Sequence, residues 1–208
     1  QSYFQKFAFS NTELKDFMGE MAKASGMNLD TWSEAWLAKA QLNTIRVDYS
    51  CEHGKTKDVR LLQTAPKEYP TLRPHKTRVA VLRRSGEKFS VLRSLDIIYS
   101  EASTAIPKLD GLGCDDIALI YPNYEDYDYV KVELDPKSLA TAREHISKIN
   151  DPLLRAGLWA SLNEMVIDQK ITATQLLDIV LTHTGKEESL DVLQRNVSMA
   201  FTVTSVYL

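Results

Sequence analysis

An α+β chain in three parts is what the sequence predicts, because the spacing of its apolar residues changes twice. Apolar side chains recur every three to four positions up to about residue 43, alternate from 44 to about 134, and return to helical spacing from 135 to 208. With 208 residues, 44% apolar and 25% charged, the chain can build a sizeable core and has nothing of a disordered or collagen-like composition. Its 25 Lys and Arg against 28 Asp and Glu leave a balance of −3, which disfavours a protein built to lie on nucleic-acid phosphates.

No window approaches the roughly 18 consecutive apolar residues of a membrane span. Lys6, Glu13, Lys15, Asp16 and Glu20 occupy the stretch where a secretory signal would be apolar. A cytoplasmic location is therefore expected. The two cysteines, Cys51 and Cys114, are too few for a disulfide scaffold; reduced thiols are the default, with one structural disulfide left open. The first residues are dense in aromatics (Tyr3, Phe4, Phe7, Phe9), and the last, from Phe201 to Leu208, stop in apolar sequence without a cap. Both ends are expected to be cut from a longer chain.

In residues 1–43, Ser10 followed by Glu13 reads as a capping box, and Leu14, Phe17, Met18, Met21 and Ala22 form one helical face. Gly26 reads as a left-handed cap that ends it. Asp30 should cap a second, short helix carrying Trp32, Trp36 and Leu37, with its aromatics in the core. In residues 44–134, Ile45, Val47 and Tyr49 alternate with polar residues, His53-Gly54 offers a turn, and Val59 to Ala65 resumes an extended run. Further strands are expected at Lys76–Arg84, Lys88–Tyr99, Ile117–Tyr121 and Tyr127–Leu134, giving an antiparallel β-sandwich. In residues 135–208, Asp135-Pro136 and Asp151-Pro152 each place a cap residue before a proline at the first helical position. Thr172 with Gln175 opens a third helix that ends near Gly185, and residues 188 to about 204 form a fourth.

A search for chemistry returns little. The four histidines, His53, His75, His145 and His183, never fall one helical turn apart with a glutamate between them, as a zinc hydrolase helix requires. Cys51, His53, His75 and Cys114 could converge as a structural zinc site, but their spacing favours two ordinary thiols and two surface histidines. No nucleophile elbow is present, and Gly111-Leu112-Gly113 lacks the third glycine and the lysine of a phosphate-binding loop. Arg73, Lys76, Arg78, Arg83, Arg84, Lys88 and Arg93 form a basic cluster; Asp115, Asp116, Glu125, Asp126, Asp128, Glu133 and Asp135 form an acidic one. An anion-binding stripe and a calcium site are the functional readings. Solvated strand faces with cross-strand charge pairs are the stronger one, because the acids lack the spacing of a calcium-binding loop. No catalytic, cofactor-binding or metal-ligating residue is assigned.

The stretches Phe9 to Asp16, Ala24-Ser25-Gly26, Leu29-Asp30, Trp36-Leu37 and Asn43-Thr44-Ile45-Arg46 resemble the end of the catalytic domain in zinc metallopeptidases of the aminopeptidase N family, bacterial type. Gln63 to Pro66 and Pro70-Thr71-Leu72-Arg73-Pro74-His75 resemble the sandwich that follows there. Asn123 to Lys131, Leu134-Asp135, Asp151-Pro152, Arg155-Ala156 and Trp159 resemble the strand and helices of the C-terminal domain. The resemblance implies three parts: 1–43 as terminal helices of a thermolysin-like catalytic domain, 44–134 as the sandwich, and 135–208 as the start of the helical domain. It implies a parent that removes N-terminal residues from peptides with a zinc ion bound outside this chain. The chain itself would be an inactive C-terminal portion that supports and closes the active-site cavity. Its partners would be the other domains of the same chain, with self-association through exposed terminal helices when they are missing. The rival reading is a free-standing binding module that uses the sandwich face or the acidic loop.

Overall fold

The computed structural model describes residues 1–207. Three helices come first: α1 (Ser2–Lys6), α2 (Leu14–Ser25) and α3 (Asp30–Leu37). The capping box of α2 lies three residues beyond the expected one. Glu13 is the N-cap, and its N–H donates to Asp16 Oδ2 at 2.9 Å, whereas Ser10 precedes the helix behind Phe9 at φ 61°. Gly26 ends α2 at φ 69°, as expected. Asp30 is the first residue of α3 rather than its cap; Asn28 Oδ1 accepts the Asp30 N–H at 2.8 Å. Of the two α3 aromatics expected in the core, Trp36 is half-buried and Trp32 is exposed. Phe4, Phe9, Phe17 and Trp32 are exposed, and Met18 is the one buried apolar side chain of α2, because no other element covers the outer face of the helix pair.

The strands form two layers. The first sheet runs β5 (Ser103–Ala105), β2 (Lys55–Thr64), β1 (Thr44–Glu52), β7 (Lys131–Val132); the second runs β4 (Lys88–Tyr99), β3 (His75–Ser85), β6 (Leu119–Tyr121). Pairing is antiparallel except between β1 and β7, which run parallel. His53 and Gly54 both take positive φ, 51° and 75°, as a two-residue hairpin turn of the favoured hand requires. The strand expected over 127–134 shrinks to two residues, since the preceding loop is held by side chains rather than by a ladder.

Four helices follow: α4 (Pro136–His145), α5 (Pro152–Ile167), α6 (Ala173–His183) and α7 (Leu190–Val206). Asp135 accepts the N–H groups of Lys137 and Ser138, Asp151 those of Leu153 and Leu154, and Thr172 with Gln175 closes a full capping box. Among the described residues, no helix is long and apolar enough to cross a membrane.

One core runs through both layers and the helices, from Ile45, Leu61 and Val79 to Leu158, Trp159 and Leu176. The seam is β6, whose Ile120 N–H donates to Ser138 Oγ of α4 at 2.8 Å. Its Tyr121 ring lies against Gly157 of α5 and its hydroxyl meets Ser161 Oγ at 3.4 Å. Burial holds the Tyr121 hydroxyl in its neutral form, pushing its pKa up to about 12. The cysteines are not two reduced thiols: Cys51 and Cys114 are joined, with Cα atoms 6.4 Å apart across a sequence separation of 63. The hairpin that begins at His53 and the Leu112–Cys114 backbone meet, which brings the two sulfurs together.

Candidate functional site: a buried polar junction

The densest polar cluster lies where α3, the start of β3 and the loop before β7 meet. Alternation along β3 puts His75, Thr77, Val79 and Val81 on its buried face. His75 is thus an inward residue, 5% exposed, and not a surface histidine. Its Nδ1 lies 2.8 Å from Asp128 Oδ1, and its Nε2 lies 3.1 Å from Asn43 Oδ1. Asn43 is held in that orientation because its Nδ2 donates to Thr71 C=O at 2.8 Å and to Thr64 C=O at 3.4 Å. Both ring nitrogens of His75 therefore face side-chain oxygens.

Asp128 Oδ2 accepts the Tyr99 hydroxyl at 2.7 Å, and the Tyr99 and His75 rings stack with centroids 4.9 Å apart. Burial first, and then the Asp128 carboxylate, raise the pKa of the Tyr99 hydroxyl, which keeps it a donor. Arg73 is 3% exposed and reaches across to the end of α3, donating to Ala35 C=O at 2.7 Å and to Lys39 and Ala40 C=O at 3.0 Å each. It also donates to Asn43 Oδ1 at 3.3 Å and lies over the Trp36 ring. Trp36 meets His75 edge to face, centroids 4.8 Å apart. The loop is braced by Asn123, whose amide donates to Asp128 C=O and accepts Asp128 N–H, both at 2.9 Å. An open groove of about 530 Å³, walled by Trp32, Trp36, Tyr127 and Tyr129, sits above this cluster.

The arrangement can hold three segments in register; it offers no free group for chemistry. The carboxylate of Asp128, the ring of His75 and the guanidinium of Arg73 are all engaged with other groups of the chain.

The expected cross-strand pairing is present in part, at Arg78 and Lys76 of β3, whose β4 partner Asp96 lies outside the acidic cluster. Arg78 Nε donates to Asp96 Oδ1 of β4 at 2.7 Å and its guanidinium also pairs with Glu125, while Lys76 joins Asp96 at 3.1 Å. Hydrogen bonds from Arg78 and Lys76 hold the Asp96 carboxyl down at about 2. The acids of 115–135 do not converge. Asp128 faces His75, Glu133 pairs with Arg46 at 2.7 Å, and Asp135 caps α4. Cys51 and Cys114 are bonded to each other, and His53 sits in an exposed turn away from His75. Among the described residues, no group of three or more His, Cys, Asp or Glu gathers as metal ligands would. The described residues do not fit a zinc centre.

Sequence reading counted Arg73 and Asp128 as surface charges, and both turn inward. The parity that His75 shares with Val79 and Val81 carried the signal for this histidine. Nothing local marks Asp128, which is placed by the Asn123 brace.

The junction joins the stretches around Asn43 and Arg73-Pro74-His75 to the loop after Asn123, and comparison with known proteins follows the same parts. Residues 119–208 match the family described as ERAP1-like C-terminal domain, a match that begins at β6 and runs through the helical array. Aminopeptidase N of Streptomyces lividans is 34% identical over 211 residues, covering 96% of this chain and 24% of the relative. The chain thus spans about a quarter of the length of the relative it matches. Over nearly its whole length, opening helices, sheets and helical array alike, the chain is thus similar to part of an aminopeptidase N.

Proposed function

We propose that the chain is a non-catalytic, C-terminal portion of a zinc aminopeptidase that acts in the cytoplasm and removes N-terminal residues from peptides. In this reading the zinc and the groups that act on the peptide belong to other parts of the parent. This portion supports the catalytic domain and helps close its cavity.

The observation that carries the reading is the match to aminopeptidase N along nearly the whole chain, over a region whose polar cluster is fully occupied in holding segments together. The exposed apolar side chains at both ends, Phe4, Phe9 and Phe17 on one side and Leu181, Val197 and Phe201 on the other, suit contact with further domains of the parent.

The test removes the matched quarter from the Streptomyces lividans enzyme, measures hydrolysis of an aminoacyl arylamide, and then grafts this chain in its place. Loss on removal and recovery with the graft are expected. Full activity without the quarter would contradict the proposal.

A further inference from the structure

The Cys51–Cys114 bond lies outside the junction and serves no role argued so far. Cys51 is exposed near the end of β1, in register with Thr56 of β2, while Cys114 is 8% exposed in the loop that leads to β6. The loop is also held without the bond. Thr56 Oγ1 donates to Leu109 C=O at 2.6 Å and accepts Leu112 N–H at 3.1 Å, and Cys114 N–H donates to Gly54 C=O at 2.9 Å. The same loop anchors the helical array: from α4, Lys137 Nζ donates to Cys114 C=O at 2.6 Å and Thr141 Oγ1 to Ala118 C=O at 2.5 Å.

We infer that this bond is a reversible redox latch, opened by a protein dithiol, that controls how firmly the loop under the helical array is fixed to the first sheet. A thiolate of the dithiol attacks the exposed Cys51 sulfur to form a mixed disulfide, and Cys114 leaves as a thiolate and takes up a proton. The second thiol of the dithiol attacks the mixed disulfide, freeing Cys51, which is protonated in turn. Two electrons and two protons pass to the cysteine pair, and the dithiol ends as its own disulfide. The backbone hydrogen bonds keep the two thiols adjacent after reduction, so in the reverse exchange the closing step, attack of Cys114 on the mixed disulfide at Cys51, is intramolecular.

Opening removes the covalent closure of a long loop, a constraint that acts mainly on the unfolded chain. It also leaves the loop on hydrogen bonds alone, so local opening there becomes easier.

The test treats the chain, without denaturant, with a reduced Cys-x-x-Cys protein, then labels free thiols with a maleimide and follows hydrogen exchange. Expected are no labels before reduction and two after it, and a fall in melting temperature of roughly 5–15 °C. Loss of protection should be greatest at residues 109–121 and 136–141, above the smaller loss that lower global stability gives the core amides, and reoxidation should restore the original state. A Cys51→Ser/Cys114→Ser chain should sit at the lower melting temperature whatever the redox conditions. Labelling without reductant, labelling only in denaturant, or a fall in protection spread evenly over the chain would each overturn the proposal.

Discussion

Gly157 and Gly19 are both interior helix positions, and the structure gives the same substitution opposite signs at the two. A Cβ at Gly19 of α2 would meet nothing within 4 Å, so Gly19→Ala gains the usual helical preference of alanine over glycine, about 1 kcal/mol at most. A Cβ at Gly157 of α5 would lie 2.5 Å from Tyr121 Oη and 3.0 Å from its Cζ. Tyr121 is 4% exposed at the seam between sheet and array, so its ring has little room to retreat. With a rigid neighbour the upper part of the usual overpacking cost applies, about 2–3 kcal/mol, which outweighs the propensity gain of about 1 kcal/mol and leaves Gly157→Ala destabilised by about 1–2 kcal/mol. At roughly 2–4 °C per kcal/mol for a chain of this size, the melting temperature should fall by about 2–8 °C.

Tyr121→Phe removes the closest contact and leaves no orphan, because Ser161 Oγ already donates to Gly157 C=O at 2.8 Å. The double variant Gly157→Ala/Tyr121→Phe should therefore recover part of the loss, an interaction that a double-mutant cycle on thermal melts would read. A Gly157→Ala chain as stable as the Gly19→Ala chain, or a cycle with no coupling, would refute the claim that sheet and array are packed against each other at this seam.

Three other outcomes follow from the same structure. Burial lowers the pKa values of His145 and His183 below the ordinary 6.5, with nearby Arg84 adding to the effect at His145. The unfolded chain therefore takes up protons first, and stability should be full above about pH 6.5 and decline toward pH 5; melts that stay flat or rise over that range would contradict it. Asp135→Ala removes the acceptor for the Lys137 and Ser138 N–H groups and should cost about 1–2 kcal/mol in chemical denaturation, with no loss if the cap is idle. The isolated chain should self-associate with rising concentration, through the exposed Phe4, Phe9, Phe17 and Phe201, in light scattering after size exclusion. A strictly monomeric species that binds no hydrophobic dye would mean those faces are not sticky.

The legibility of the fold followed how local its causes were. The caps at Asp135, Asp151 and Thr172 were readable because a cap needs only a short side chain, its neighbours and a proline or glutamine at fixed offsets. The box at Ser10 was misplaced because two acids, Glu13 and Asp16, competed for the same role one turn later. The parallel β1–β7 pair was hidden, since a two-residue strand has no period to read. The junction was half visible: His75 shares parity with the buried face of β3. Arg73 and Asp128 looked like members of charge clusters, because their burial depends on partners 30 or more residues away in sequence. The disulfide depended on the same kind of long-range meeting.

In the proposed role this portion matters to peptide hydrolysis by holding segments in place, and it contributes no reacting group. Asp128 is the sharpest place to test it, being the one buried carboxylate paired with a histidine in the junction. Asp128→Asn in the grafted aminopeptidase disturbs the buried contacts that Asp128 makes with His75 and Tyr99, a loss of about 1–3 kcal/mol in stability. The measurement is kcat/KM for an aminoacyl arylamide as a function of temperature, beside the thermal melt of the same sample. A kcat/KM close to that of the unsubstituted graft is expected at low temperature, with a loss of activity that tracks unfolding at a lower temperature. An enzyme that stays folded at low temperature and has lost its activity there would contradict it.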